Sequence, residues 1–207
     1  PIKCFETNTR ILMVTAEAAA QPFSCIGNNG AAYQTNFNIG AGTYSVTITD
    51  AWGCQGNATY TITEPPIMNV SSSVTHPKCF GDRTGKISAN ATGGTTPYTM
   101  LWSTGSGANE ITGLVAGSYA LTVTDANGCS NVSNFTINWP EELTVEALTT
   151  DITCYGGAGG KITATAGGGT APYEYYVQFG NLTFSNGTSY DGLRAGIYTV
   201  NVVDINK

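Results

Sequence analysis

Ala116-Gly117-Ser118-Tyr119-Ala120-Leu121-Thr122-Val123-Thr124-Asp125-Ala126-Asn127-Gly128-Cys129 is the stretch that decides the fold. Tyr119, Leu121 and Val123 fall on one face of an extended chain, and small or polar residues fall on the other. That alternation is the pattern of a half-buried strand. Asn127-Gly128 then reverses the chain, because hairpin turns need the positive φ that Asn and Gly tolerate. The stretch has two relatives in the same chain. Gly42, Tyr44, Asp50 and Cys54 precede Gly117, Tyr119, Asp125 and Cys129 at a constant interval of 75, and Gly196, Tyr198 and Asp204 follow their partners at an interval of 79. Cys4, Cys79 and Cys154 keep the interval of 75, as do Pro22, Pro97 and Pro172. A fixed long period means an array of similar units.

Outward from this stretch, the middle copy reads as a series of short strands. Gly85 to Ala91 alternates small apolar and polar residues, and Gly93-Gly94 turns the chain. Pro97 to Trp102 follows, with Tyr98, Met100 and Trp102 on one face. Glu110 to Leu114 is a short strand, and Phe135 to Trp139 closes the copy. Ile67 to Val74 opens it. The pattern Leu114-x-Ala116-Gly117-x-Tyr119 recurs as Leu193-x-Ala195-Gly196-x-Tyr198 and fits a tyrosine corner at an E–F turn. Ala16 to Ala20 favours a helix by composition but occupies a strand-and-turn position, so no helix is expected there. Six or seven short strands per copy predict an all-β chain: a tandem array of three immunoglobulin-like β-sandwich repeats. Pro65-Pro66 and Pro140 mark boundaries, giving 1–65, 66–140 and 141–207. The first unit lacks an opening strand and the third a closing one, which reads as an excerpt of a longer array or as strands supplied by a neighbouring molecule through strand donation.

Composition narrows the function. Lys and Arg total only eight and the net charge is −6, so phosphate-backbone binding is not expected. No apolar run approaches the roughly 18 residues of a membrane span. His76 is the only histidine, beside Pro77, and nothing pairs it with a nucleophile and an orienting acid, so no enzyme is expected. No metal-ligand spacing of Cys or His occurs. Asp50, Asp125 and Asp204 recur and read as turn openers; calcium at the same positions is the less favoured alternative, since each lacks a second acid nearby in sequence. Trp52 replaces Asn127 at a turn tip, where a ring can stack on sugar or dock on protein, and a Trp packed onto its own copy is the equal alternative.

Five of the six cysteines fall on repeat positions. Pairing within units gives Cys4–Cys54 and Cys79–Cys129, each closing a loop worth about 4 kcal/mol in the chain-entropy model. The repeat spacing favours this pairing, since Cys154 would find its equivalent partner at about position 208, but the A–B and F–G turns of a simple immunoglobulin order lie at opposite ends of the sandwich, so the pairing requires the leading cysteine to run alongside the F–G end. Bridged Cα atoms must come within about 7 Å. Cys25 falls on the inward face and reads as a buried thiol.

Cys79-Phe80-Gly81-Asp82-x-x-Gly85-Lys86-Ile87, Gly93-Gly94-x-x-Pro97-Tyr98, Trp102-Ser103 and Val123 to Cys129 resemble the SprB repeat of very large surface adhesins of gliding and biofilm-forming Bacteroidota. The third copy resembles it at Cys154-Tyr155-Gly156, Pro172-Tyr173 and Leu193 to Asp204, whereas the first departs at Glu6 to Arg10 and at Ala18-Ala19-Ala20-Gln21. The resemblance implies a stalk segment of a secreted, surface-anchored filamentous adhesin, exported by the type IX system, with gliding motility or attachment as its setting. It implies surface polysaccharide, a solid substratum and neighbouring repeats as partners, and it brings no catalytic residues and no cofactor. The alternative from another class is a set of carbohydrate-binding modules attached to a secreted enzyme.

Overall fold

The computed structural model describes residues 3–5, 10–15, 24–27, 30, 35–185 and 187–206. The described residues form strands and turns, with no helix among them. The Ala16 to Ala20 patch and the Ala18 to Gln21 departure lie outside the described residues.

In the middle copy the strands are β6 (Asn69–Thr75), β7 (Gly85–Thr92), β8 (Thr99–Trp102), β9 (Glu110–Leu114), β10 (Gly117–Thr124) and β11 (Ser130–Ile137). They form two three-stranded sheets, ordered β6-β7-β9 and β11-β10-β8. Lettered along the chain as A, B, C, E, F and G, these are the A-B-E and G-F-C sheets of an immunoglobulin-like sandwich without strand D. The first copy has β1 (Arg10–Met13), β2 (Ser24–Gly27), β3 (Thr35–Ile39), β4 (Gly42–Thr49) and β5 (Gln55–Ile62). Its orders, β1-β3 and β2-β4-β5, are B-E and C-F-G. The third has β12 (Thr144–Thr150), β13 (Gly160–Gly167), β14 (Glu174–Phe179), β15 (Leu182–Ser185), β16 (Ser189–Leu193) and β17 (Thr199–Val203). There β12-β13-β16 is A-B-E again, while β15-β14-β17 places an added strand on the free edge of C. The strands expected from the sequence hold for β7, β9 and β10. The closing strand is earlier and longer than Phe135 to Trp139, because the F–G turn feeds directly into pairing and Trp139 has left the sheet.

The added hairpin accounts for the drift from 75 to 79. The starts of strand C, Thr99 and Glu174, keep the interval of 75, whereas those of strand E, Glu110 and Ser189, are 79 apart. The four extra residues therefore lie between these starts. In the middle copy the same span is a tight loop, with Trp102 N–H donating to Ser106 O at 2.9 Å and Gly105 N–H to Trp102 O at 2.8 Å. In the third it is long enough to pair Phe179 with Leu182 and Tyr176 with Ser185.

By packing, the chain divides into two compact units. One is Pro1–Ser72 with Ala89–Asn109 and Ala120–Asn134; the other is Ser73–Ser88 with Glu110–Tyr119 and Phe135–Lys207. In the first, Trp102 is 1% exposed and Leu121 and Val123 are fully buried. The indole Nε1–H of Trp102 still finds Ala108 O at 2.7 Å, which removes the penalty of burying it unpaired. In the second, Ile87, Ile137 and Val177 are fully buried. Val177 is the repeat equivalent of Trp102 and fills the same inward position on strand C. A Cβ on Gly85 would lie 2.7 Å from Leu114 O and 3.1 Å from Ile137 Cγ2, so glycine sets how closely strands B, E and G approach.

Each copy also has its tyrosine corner. Tyr44 O–H donates to Gly40 O at 3.1 Å, Tyr119 O–H to Val115 O at 3.0 Å and Tyr198 O–H to Arg194 O at 2.9 Å. The bond spans four residues each time and pins the E–F turn to the first residues of F.

Candidate functional site at the repeat junctions

The recurring aspartates build the F–G turn from within. Asp125 Oδ1 accepts the N–H groups of Asn127 and Cys129, both at 2.9 Å, and Oδ2 accepts Thr95 N–H at 3.0 Å. Gly128, at φ 86°, closes the turn by donating to Asp125 O at 3.0 Å. Asp50 repeats the Oδ1 pattern with Trp52 and Cys54. Asp204 repeats it with Asn206, and its Oδ2 accepts Thr170 N–H at 2.9 Å. Burial of Asp125 favours the neutral acid, but N–H donors from Cys129, Thr95, Asn127 and Gly128 outweigh it and hold the carboxyl below the usual range. These lone pairs are directed at backbone donors, so the geometry assigns the aspartates to turn anchoring. Among the described residues no cluster of three or more His, Cys, Asp or Glu forms a metal-ligand set.

The anchored turn presents its tip to the leading segment of the preceding copy. In the first unit Asn127 Nδ2–H donates to Lys3 O and to Thr95 Oγ1, both at 2.9 Å. Cys129 is disulfide-bonded to Cys4, with Cα atoms 5.6 Å apart. In the second unit Asn206 Nδ2–H donates to Lys78 O at 3.1 Å, the same contact one repeat later. Each junction encloses an open groove. One of about 340 Å³ is lined by Cys4, Phe5, Pro66, Met68, Gly94 and Asp125 among others. The other, about 390 Å³, is lined by the matching Cys79, Phe80, Glu141, Leu143, Gly169 and Asp204.

The groove floors depend on glycine. Gly93 and Gly94 both have positive φ, and Gly94 N–H donates to Pro66 O at 2.8 Å. A Cβ on Gly93 would lie 1.9 Å from Ile67 O. Gly168 meets Glu142 O at the same distance. Any side chain here forces the incoming linker off the turn.

The observed disulfide corrects the within-unit pairing. Neither Cys4–Cys54 nor Cys79–Cys129 forms; Cys4 pairs with Cys129, and Cys25, Cys54, Cys79 and Cys154 are thiols. The reason is strand length. β7, of eight residues, separates the A–B turn that carries Cys79 from the B–C turn that meets Asp125. At about 3.3 Å per residue such a strand spans roughly 25 Å, against the 7 Å or so a disulfide tolerates. The leading cysteine meets the following copy's F–G turn instead.

Other sequence candidates fall into place around the junctions. Trp52 is 83% exposed at the tip of its turn, in the position Asn127 and Asn206 use to hold a preceding copy. His76 Nδ1 accepts the backbone N–H of Asn138 at 3.2 Å, so it bridges strand A's exit to strand G's end. Trp139 donates Nε1–H to Asp82 O at 2.8 Å and its ring packs on Phe80 with centroids 5.2 Å apart. Sequence reading missed the junction role of Asn127. The available signal was its recurrence as Asn206, two residues after the recurring Asp in both copies.

No curated protein matches the chain. Among solved structures it is similar to the amphioxus IgVJ-C2 molecule (13% identity, TM-score 0.30, covering 63% of this chain and 97% of that one). It is also similar to the N-terminal eight Ig domains of Down Syndrome Cell Adhesion Molecule isoform 1.30.30 (11%, TM-score 0.44, 96% and 35%). A third is Dpr2 Ig1-Ig2 in complex with DIP-Theta Ig1-Ig3 (10%, TM-score 0.26, 90% and 82%). The fold assignment rests on strand order rather than on these superpositions. The SprB repeat family model matches residues 71–107 and 147–181, the A-to-C portions of the second and third copies.

Proposed function

We propose that this chain is a structural, adhesive stalk segment of a secreted, surface-anchored adhesin at the cell surface, with gliding or attachment as its setting and no catalysis of its own. Each copy is a spacer, with limits at 1–65, 66–140 and 141–207, and neighbouring repeats are its first partners. Surface polysaccharide or a solid substratum is the outer partner. The single observation that carries this reading is the recurrence of one junction: an Asp-anchored turn whose Asn holds the preceding copy's Lys carbonyl. A chain that invests its repeated polar residues in joining units is built to transmit load.

Single-molecule pulling tests the proposal. Under reducing conditions the middle copy should rupture as one event. It would release about 75 residues, or roughly 25 nm at about 3.4 Å each. Extension without discrete ruptures overturns it. Beads coated with the chain should also be retained under flow on polysaccharide-coated or bare surfaces. A carbohydrate-binding reading draws on the exposed ring of Trp52. A glycan array separates the two: a specific sugar signal abolished by Trp52→Ala favours that reading.

A further inference from the structure

The Cys4–Cys129 bond joins residues 125 apart in sequence whose Cα atoms stand 5.6 Å apart. Between them in the chain lie β1 to β5 of the first copy and β6 to β10 of the middle copy. Strand β11 and the third copy follow the bond. Tension carried along the chain therefore crosses from Cys4 to Cys129 through the two sulfurs. The residues between them form a closed loop in parallel with that bond, so they cannot lengthen while it holds. The bond is also reachable. Both cysteines are half-buried, and both line the open groove of about 340 Å³ beside Phe5, Pro66 and Met68. The contact that seats the leading segment does not depend on the sulfurs, because Asn127 Nδ2–H donates to Lys3 O at 2.9 Å. Cys129 Sγ lies 3.3 Å from the same oxygen, within reach of a thiol S–H donor.

We propose that Cys4–Cys129 is a redox-gated length lock: closed, it withholds residues 5–128 from extension, and a dithiol reductant entering the groove releases them. The withheld loop amounts to about 42 nm of chain at about 3.4 Å per residue. A thiolate of the dithiol attacks one sulfur and forms a mixed disulfide, while the other cysteine leaves as a thiolate and takes a proton. The second thiol of the reductant then closes on its own sulfur. The dithiol ends as a cyclic disulfide and both cysteines as thiols, with two electrons and two protons passed to the chain. Asn127 keeps the segment of Cys4 seated when no force acts, so an oxidising disulfide closes the lock again by the reverse exchange. The use of the lock rests on the stalk reading, whereas the lock itself rests on the connectivity of one bond.

Single-molecule pulling of the full chain by handles on its two termini, with and without dithiothreitol, tests the lock. Without the dithiol, released length should come from the residues after Cys129 alone, about 27 nm at about 3.4 Å each. With it, about 42 nm more should appear. Cys4→Ser and Cys129→Ser should each reach the longer extension without reductant, and discrete ruptures in either report that its copies have folded. Cys54→Ser should behave as the wild type. Equal lengths with and without dithiothreitol overturn the proposal. So does a withheld length of about 17 nm that Cys54→Ser abolishes, which is the loop of a Cys4–Cys54 bond at about 3.4 Å per residue. The outcomes also separate the lock from the stalk reading. A redox difference of about 42 nm without discrete ruptures keeps the lock and removes the stalk, whereas discrete ruptures with no redox difference do the opposite.

Discussion

Replacing Asp125 by Asn changes one atom's chemistry inside a buried turn. Asn at this position keeps an oxygen for the N–H groups of Asn127 and Cys129 but turns Oδ2 into a donor. That donor then faces Thr95 N–H, whose distance to Oδ2 in the wild type is 3.0 Å. Asp125 is 5% exposed, so water does not repair the clash. A hydrogen bond to a charged group is worth about 1.5–3 kcal/mol, and the two remaining bonds fall to neutral strength, near 1 kcal/mol each. The expected cost is about 3 kcal/mol, confined to the F–G and B–C turns of the middle copy. That corresponds to roughly a hundredfold rise in local opening. Hydrogen exchange reads it directly. Protection at Thr95, Asn127 and Cys129 should fall about a hundredfold, while amides of β13 and β16 keep theirs. A fall of less than tenfold at Thr95, or an equal loss in all copies, refutes the anchoring argument.

Three further outcomes follow from the same geometry. The Asp125 pKa is depressed in the folded chain, so its stabilisation is complete above the unfolded value of about 3.9 and is lost as pH falls through the lower folded value; the protection factor at Thr95, the observed exchange rate referred to the intrinsic rate at each pH, should fall from about pH 4 downward in the wild type and show no such step in Asp125→Asn. Tyr119→Phe deletes the donor to Val115 O and should destabilise the middle copy by about 1 kcal/mol in denaturant titration, with the fold kept. Gly93→Ala sets a Cβ 1.9 Å from Ile67 O at a positive φ; it should cost more than about 3 kcal/mol and loosen the linker around Pro66, seen as new proteolytic cleavage near 65–68.

Much of this architecture is legible because local chemistry and period agree. Tyr119, Leu121 and Val123 give strand F by alternation, and the first and third copies repeat it; the tyrosine corners expected at Tyr119 and Tyr198 occur, and the structure adds a third at Tyr44. Strand order follows from the number and spacing of the turns. Disulfide pairing is not legible. Repeat position says which cysteines are equivalent and not whether equivalent residues meet within a copy or across a boundary. That the A–B and F–G turns lie at opposite ends follows from the fold class, but which segment of a neighbouring copy meets the F–G turn is a property of the folded chain. The hairpin β14–β15 is equally hidden: a four-residue insertion shows as a shift of period, and only pairing tells where the residues went.

The anchoring Asp and the junction Asn explain each other. A turn tip that holds another copy's carbonyl has to keep its geometry, and Asp125 fixes it through the N–H groups of Asn127 and Cys129. Asp125 ties that tip to Thr95 on the B–C turn, which also contacts the incoming linker through Gly94 and Pro66. Lys3, Asn127, Thr95 and the linker are thereby joined in one hydrogen-bonded set. Trp52 sits on the same scaffold, with Asp50 anchoring its turn, but offers a ring where Asn offers an amide. Its place predicts contact with whatever occupies the position of a preceding copy, so its partner surface should be apolar where Lys3 and Lys78 present a carbonyl.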